Sequence, residues 1–385
     1  MIKVPKRVLH IVSAMNRGGT ETLLMNLYRN IDKDKVQFDF VSHRKEKCHY
    51  DGEIELMGGK IFRISSLGQS GPFSYIRELK KIMESNEYIA IHSHTDFQSG
   101  FPAFAAKIAG INKRICHSHS NQWTRKSNLK ENMILNFLQK MIKFSATEYC
   151  ACSVEAAEFL FGEKQVKQGN VHILKNGIDV KKFTSITDNC GISLKKELSI
   201  PKNAKIIGHV GSLSQIKNQG FILRILKHLL EEGFDVYAVF AGEGELRSYF
   251  EDEAKNLGIQ DYVKFLGIRS DITRLMKAFD VFVFPSLYEG FGIVTLEAQC
   301  AGTPCVVSDT VPKSTDMGLN LIRYLNLDED LNNWSNEIKK NFLIERPDSN
   351  RIQDMFFKNG FNIIENIQVW LSLYGISSSE KELKM

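Results

Sequence analysis

Short apolar runs alternate with stretches of helical periodicity over most of the chain. Residues 7–13 (RVLHIVS) read as an apolar strand followed by a glycine turn. Leu23, Leu24, Leu27 and Ile31 then recur at helical spacing. The same signals predict strands at 38–42, 60–65, 88–94, 114–118, 148–153 and 172–174. Helices are predicted between them, near 73–85, 97–109, 130–144 and 154–161. Residues 176–203 are polar and carry Gly177, Asp188, Asn189, Gly191 and Pro201. They read as an inter-domain linker with room for one short helix. A second series has strands at 206–211, 236–242, 263–267, 281–285 and 304–308. Helices at 219–232, 244–257, 271–278 and 293–301 separate them, and beyond Pro312 the pattern weakens to helices at 328–345 and 349–374. Repeated strand–helix alternation implies an α/β chain with two doubly wound parallel-sheet domains, 1–180 and 200–360.

Composition narrows the class. Of 385 residues, 43% are hydrophobic and 25% charged, the values of a globular chain and not of a disordered or collagenous one. No apolar run reaches the roughly 18 residues that span a bilayer. The stretch 8–14 is too short, and too soon followed by Arg17, to read as a signal peptide. Seven scattered cysteines fit free thiols in a cytoplasmic setting. Cys150 and Cys152 alternate in a strand, and no matching pair completes a zinc set. The net charge of +5 is unevenly spread: residues 1–180 hold 26 Lys+Arg against 18 Asp+Glu, the remainder 24 against 27. A basic first half suits an anionic partner, a phosphorylated substrate or a membrane surface. No nucleic-acid partner is indicated.

Ligands of open α/β sheets bind beyond the carboxyl ends of the strands, and the unusual residues fall there. Gly18 and Gly19 follow the first strand and open a helix, where free amides can meet an anion. A purely structural turn is the alternative, and there is no GxGxxG fingerprint for a nicotinamide or flavin. His92 and His94 end one strand, His117 and His119 the next, and alternate residues share a face. No Cys or carboxylate stands at helical spacing beside them, which argues against zinc. Gly211, Ser212 and Lys217 follow a strand in the second half, as a loop that holds phosphate by amides and one point charge. In 285–298 a strand ends, Gly290 and Gly292 pass, and a helix begins. The amides of Phe291, Gly292, Ile293 and Val294 are then free first-turn donors for a phosphate. Glu289 and Glu297 flank that turn, where a carboxylate can accept bonds from ribose hydroxyls.

Taken together, these motifs resemble family-4 retaining glycosyltransferases of GT-B fold, in particular bacterial exopolysaccharide and capsule enzymes. The carrying segments are GGTE (18–21), RICHSHS (114–120), ACSVEAAEFLFG (151–162), ILKNGIDVKKF (173–183), GHVGSLSQIKN (208–218) and EGFGIVTLEAQCAGTPCVVSD (289–309). They span residues 7 to about 310 in family order. The resemblance implies two Rossmann-like domains facing across a cleft, with a C-terminal helix, about 361–385, crossing back to the first. The second domain would hold a nucleotide-diphosphate sugar, a UDP-sugar by preference. The first would hold a glycan or polyprenyl-diphosphate-linked acceptor. Lys217 would neutralise the diphosphate with amides of Gly18, Gly19 and 291–294. Glu297 would hold the ribose, Glu289 the donor sugar, and His119 (His117 in second place) would contact the sugar at the reacting centre. No metal or other cofactor is expected, and Glu289 is not assigned as a nucleophile.

One departure stands out: the family usually has Arg where this chain has Ser212. Arg269 is a candidate substitute cation. Other readings of the same features are a non-hydrolysing nucleotide-sugar epimerase, a two-lobed sugar-binding protein, and a weakened homologue serving as an assembly partner. Residues 125–144 place Arg125, Lys126, Lys130, Lys140 and Lys143 among large apolar side chains. Such a stretch can lie on an anionic membrane surface, which would attach a cytoplasmic protein peripherally at the inner face of the cell membrane; an ordinary domain helix with an apolar core face is the alternative.

Overall fold

The structure is a computed structural model that describes residues 4–120, 129–186 and 189–376. Two compact units emerge. The first comprises the residues up to Gly177 together with those from Ile363 onward, and the second runs from Ile178 to Asn362.

The first unit carries seven strands: β1 (Lys6–Val12), β2 (Val36–Ser42), β3 (Ile61–Arg63), β4 (Tyr88–Ser93), β5 (Lys113–Ser118), β6 (Glu148–Ala151) and β7 (Val171–Ile173). Their order is β3-β2-β1-β4-β5-β6-β7, with every pairing parallel. The second carries β8 (Lys205–Val210), β9 (Val236–Ala241), β10 (Val263–Phe265), β11 (Val281–Phe284), β12 (Cys305–Ser308) and β13 (Ile322–Leu325). These run parallel in the order β10-β9-β8-β11-β12-β13. Strand order reverses between β1 and β4 and again between β8 and β11, and a crevice opens at the carboxyl ends of such a pair.

Parallel strands buried on both faces require apolar runs, which is why β1, β2, β8 and β11 read so clearly in the sequence. The helix Gly19–Asn30 lays Leu23, Leu24, Leu27 and Tyr28 on the first sheet. Gly208 sits inside β8 because a Cβ there would lie 2.0 Å from the ring of Phe279. All seven cysteines are free and buried. No helix among the described residues is long and apolar enough to cross a membrane.

Three expectations fail. The stretch 176–203 is largely not a linker. From Ile178 on it belongs to the second unit, as helices Val180–Thr184 and Cys190–Glu197 that bury Ile178, Val180, Phe183, Cys190, Leu194 and Ile200. Those apolar residues are widely spaced among lysines, so no periodic stripe announced them. The helix read over 349–374 is two, Ser349–Lys358 and Ile363–Leu373, separated where Gly360 takes a left-handed φ of 69°. The chain returns to the first unit at that break. Strand β13 falls beyond Pro312, where no strand is predicted, because it is only four residues long at a sheet edge.

The helix Ile363–Leu373 packs Ile363, Ile367, Trp370 and Leu371 into the core formed by Val8, Leu23, Leu27 and Phe40. The remainder of the segment expected to be helical to 385, from residue 377, lies outside the described residues.

Candidate active site

In the second unit the ends of β8 and β11 are stitched together. Leu287 donates its amide to the Ile216 carbonyl (2.8 Å) and Asn218 its side-chain amide to the Pro285 carbonyl (3.1 Å). Asn218 adopts a left-handed φ of 56° before the helix Gln219–Glu231, a conformation Asn tolerates better than most residues. His209, buried inside β8, donates Nδ1–H to the Val283 carbonyl at 3.0 Å, so its Nε2 accepts from Gln219 at 3.1 Å. Burial pushes its pKa down to about 4, and the ring stays neutral at pH 7. The Gln219 amide also reaches the Ser212 carbonyl at 2.7 Å. A buried network thus sets the path of the loop 211–218.

That loop brings Lys217 against Glu289. The ammonium and carboxylate form an ion pair, and Ser286 donates to the same carboxylate oxygen at 2.7 Å. The Glu289 side chain is 8% exposed and that of Lys217 22%. Gly292 caps the helix Ile293–Cys300 with φ 80°. The amides of Phe291, Gly292, Ile293 and Val294 bond to nothing among the described residues. Phe291 itself is core, 5.7 Å from the ring of Phe361. Glu297, one turn into the helix, is buried, and its carboxylate has no hydrogen bond among the described residues. Burial raises its pKa to about 7, partly offset by Lys182.

Gly211 leaves β8 with φ 159°, and a Cβ on neighbouring Gly242 would lie 2.0 Å from the Gly211 carbonyl oxygen. Ser212 is exposed, its hydroxyl 3.4 Å from that of Ser214. Arg269 does not take the place of the missing guanidinium. It is spent on Asp271 (2.8 Å) and Glu197 (2.7 Å), in a cluster shared with Arg274.

In the first unit, Gly18 caps the helix that Gly19 begins, and the Glu21 carboxylate folds back over it, 2.3 Å from where a Gly18 Cβ would stand. Desolvation raises Glu21 to about 7, against the opposing effect of its own backbone hydrogen bond. An anion at this turn would have to share it with that carboxylate.

His119 ends a larger group than the sequence suggested. His10 of β1 pairs in register with His92 of β4, and His94, His117 and His119 continue the array. Neighbouring rings stack 4.1–5.6 Å apart, with Trp370 4.9 Å from His92. One hydrogen-bonded chain runs His10–His94–His119 (3.1 and 2.9 Å), a second Tyr374–His92–His117 (2.8 and 3.1 Å). Burial lowers all five pKa values, to about 3 for His10 and about 4 for His119, where the Asp96 charge opposes it. Asp96, at a left-handed φ of 46°, accepts from the His119 amide (2.8 Å) and the Ser120 hydroxyl (3.0 Å). Nitrogens of His10, His92 and His94, and of His94, His117 and His119, lie within 4.8 Å of one another, the donor count of a metal set. Their nitrogens are largely spent on each other, however, and no carboxylate joins either trio to balance a divalent charge.

Sequence reasoning missed His10, Asp96, His209, Gln219, Ser286, Trp370 and Tyr374. The histidines were lone polar residues inside apolar strands, a pattern that reads as core.

The family described as Glycosyltransferase Family 4 matches residues 17–182, and that described as Glycosyl transferases group 1 matches residues 165–317. The chain is 41% identical to the putative glycosyltransferase EpsF of Bacillus subtilis, over 97% of its own length and 98% of the relative's. It is 25% identical, over 77% of each chain, to a UDP-Gal:alpha-D-GlcNAc-diphosphoundecaprenol alpha-1,3-galactosyltransferase of Escherichia coli. Among solved structures, Anabaena Alr3699/HepE in complex with UDP and glucose superimposes with a TM-score of 0.77 at 20% identity, over 96% of this chain and 100% of that one. WaaG, a glycosyltransferase involved in lipopolysaccharide biosynthesis, superimposes with a TM-score of 0.68 at 14% identity, over 96% and 97%.

Proposed function

The chain belongs to the family-4 glycosyltransferases and has their GT-B fold, and on that premise we propose a specific reaction. A hexosyl group moves from a UDP-sugar to a glycan or polyprenyl-diphosphate-linked acceptor, with retention of anomeric configuration, in surface polysaccharide synthesis. The observation that carries this is the Lys217–Glu289 pair at the switch point of the second sheet. It sets a cation suited to a diphosphate beside a buried carboxylate suited to sugar hydroxyls. The relative that uses UDP-Gal on a diphosphoundecaprenol-linked sugar supports both partners.

In this reading Lys217 and the free amides of Phe291 to Val294 take up the charge that grows on the leaving diphosphate. Gly211 and Ser212 let the loop backbone approach it, and no metal or cofactor is required. Glu297 receives the ribose hydroxyls. Glu289 orients the donor sugar as a hydrogen-bond acceptor. Within the first unit, His119 meets the sugar, and Gly18 and Gly19 add amides.

The acceptor would be reached from a membrane surface. The helix Leu129–Ser145 exposes Met133, Ile134, Phe137 and Phe144 beside Lys140 and Lys143. Arg125 and Lys126 of the predicted basic stretch lie outside the described residues, as does the Lys130 side chain.

A thermal-shift screen of UDP- and GDP-sugars, then transfer to a synthetic polyprenyl-diphosphate sugar with NMR of the new linkage, tests the proposal. Isomerisation of the donor without transfer, or a β-linked product from an α-donor, would refute it.

A further inference from the structure

The chain His10–His94–His119 couples three tautomers. Each ring is neutral and carries one N–H, so each nitrogen pair has one donor and one acceptor. Only two arrangements satisfy both bonds, and they differ at every ring. In the first, His10 donates from Nδ1 to His94 Nε2, and His94 from Nδ1 to His119 Nε2. In the second, every proton sits on the opposite nitrogen.

Both ends of the chain select the first arrangement. At the inner end, His10 Nε2 is buried without a partner among the described residues. The second arrangement would place an N–H there, and orphaned buried N–H groups are rarer than under-satisfied acceptors. At the outer end, the Asp96 carboxylate is bound to the amide of His119 itself (2.8 Å). Its charge acts on the ring, whose Nε2 is taken by His94, and Nδ1 is the ring nitrogen nearer the backbone amide, so the negative charge favours a proton on Nδ1.

We infer that His10 and His94 are positioning residues that hold His119 as its Nδ1–H tautomer, so that His119 meets a substrate oxygen as a neutral hydrogen-bond donor and not as a base. This rests on the proposal that His119 contacts the donor sugar. Nδ1 already carries its proton, so accepting one there would first require all three rings to change tautomer. Giving one away would leave an imidazolate at the buried end. The low pKa values of the array agree with a chain that stays neutral throughout.

The test is nitrogen-15 NMR of the full chain labelled at histidine, with His119→Gln used for assignment. Wild-type His119 should show a protonated-type shift at Nδ1 and an unprotonated-type shift at Nε2. His94→Leu should turn His119 into a tautomer mixture and lower kcat about tenfold, the scale of one hydrogen bond to substrate, with little change in donor KM. His94→Asn, whose side-chain amide can replace the Nδ1–H donor, should restore both. A wild-type His119 protonated on Nε2 overturns the inference, and so does a His119 signal unmoved by His94→Leu. The wild-type spectrum decides even if a variant folds poorly. If the tautomer is as stated but His119→Ala keeps full turnover, the contact with sugar fails and the tautomer assignment stands.

Discussion

Lys217 is already neutralised by Glu289. In the proposed reaction a diphosphate would draw the ammonium from that partner, leaving Glu289, 8% exposed, with the Ser286 hydroxyl as its hydrogen-bond partner among the described residues. A donor sugar can repair this through its own hydroxyls, whereas UDP without a sugar cannot. Glu289→Gln removes the internal competitor. Breaking a fully buried pair costs about 3–5 kcal/mol and a surface pair is worth about 0–1. With one end partly open and Ser286 retained, the Lys217–Glu289 coupling should be about 2 kcal/mol. If most of it opposes UDP binding, Glu289→Gln should tighten UDP by about tenfold. The same change should lower transfer, because the amide meets the sugar less well than the carboxylate does.

Two measurements check this. Calorimetry gives the UDP affinity of the wild type and of Glu289→Gln. Urea unfolding of Lys217→Ala, Glu289→Gln and the double variant gives the coupling. Lys217→Ala alone should destabilise by about 2–3 kcal/mol, since it strands a buried carboxylate. The same change in the Glu289→Gln background should cost under about 1 kcal/mol. A coupling below about 0.5 kcal/mol, with UDP bound no more tightly by Glu289→Gln, would refute the reasoning.

Three other outcomes are expected. Burial holds Glu297 near pKa 7 against an ordinary 4.5. The native state therefore keeps a proton that the unfolded chain has lost, and stability falls as pH rises from about 4.5 to about 7, by at most about 3 kcal/mol. Glu297→Gln should raise the urea midpoint at pH 8 and not at pH 4.5, and an equal shift at both would contradict this. Gly242→Ala forces a Cβ onto the Gly211 carbonyl at a φ of 143°. It should destabilise by about 3 kcal/mol and weaken UDP binding in calorimetry, so a variant with native melting and binding would count against the close approach. Ser212→Arg places a guanidinium at an exposed loop position. It should improve donor kcat/KM about tenfold, on the scale of a charged hydrogen bond, and unchanged or lower kcat/KM would sink the missing-clamp idea.

The parallel strands and the glycine turns were legible because each follows from a local rule. Buried strands read as apolar runs, and Gly292 stands where a left-handed cap is needed. The pairing of Lys217 with Glu289 was not legible, since it depends on β8 and β11 becoming neighbours across 72 positions of sequence. The histidine array was half visible. His92, His94, His117 and His119 advertised themselves by alternation, but His10 joined them only through strand register. Residues 178–200 were misread because their apolar side chains are too widely spaced to form a stripe, and only the surface they cover explains them.

The return of the chain at Ile363 also orders assembly in time. The second unit is one uninterrupted run, so none of it waits for residues beyond Asn362. The first unit cannot close until Trp370 and Tyr374 arrive. Growing from its amino end, the protein holds His10, His92, His94 and His117 open to water until nearly the last residue described. There they can take up protons that the finished interior rejects. The parallel bridge between Ile178 and Asn362 lays the two ends of the second unit side by side. Completing that unit therefore delivers the closing helix to the place where the chain first left. The histidine array is the last part of the enzyme to be enclosed, and a chain cut short before Ile363 would hold every residue of the second unit and a first unit without its closing helix.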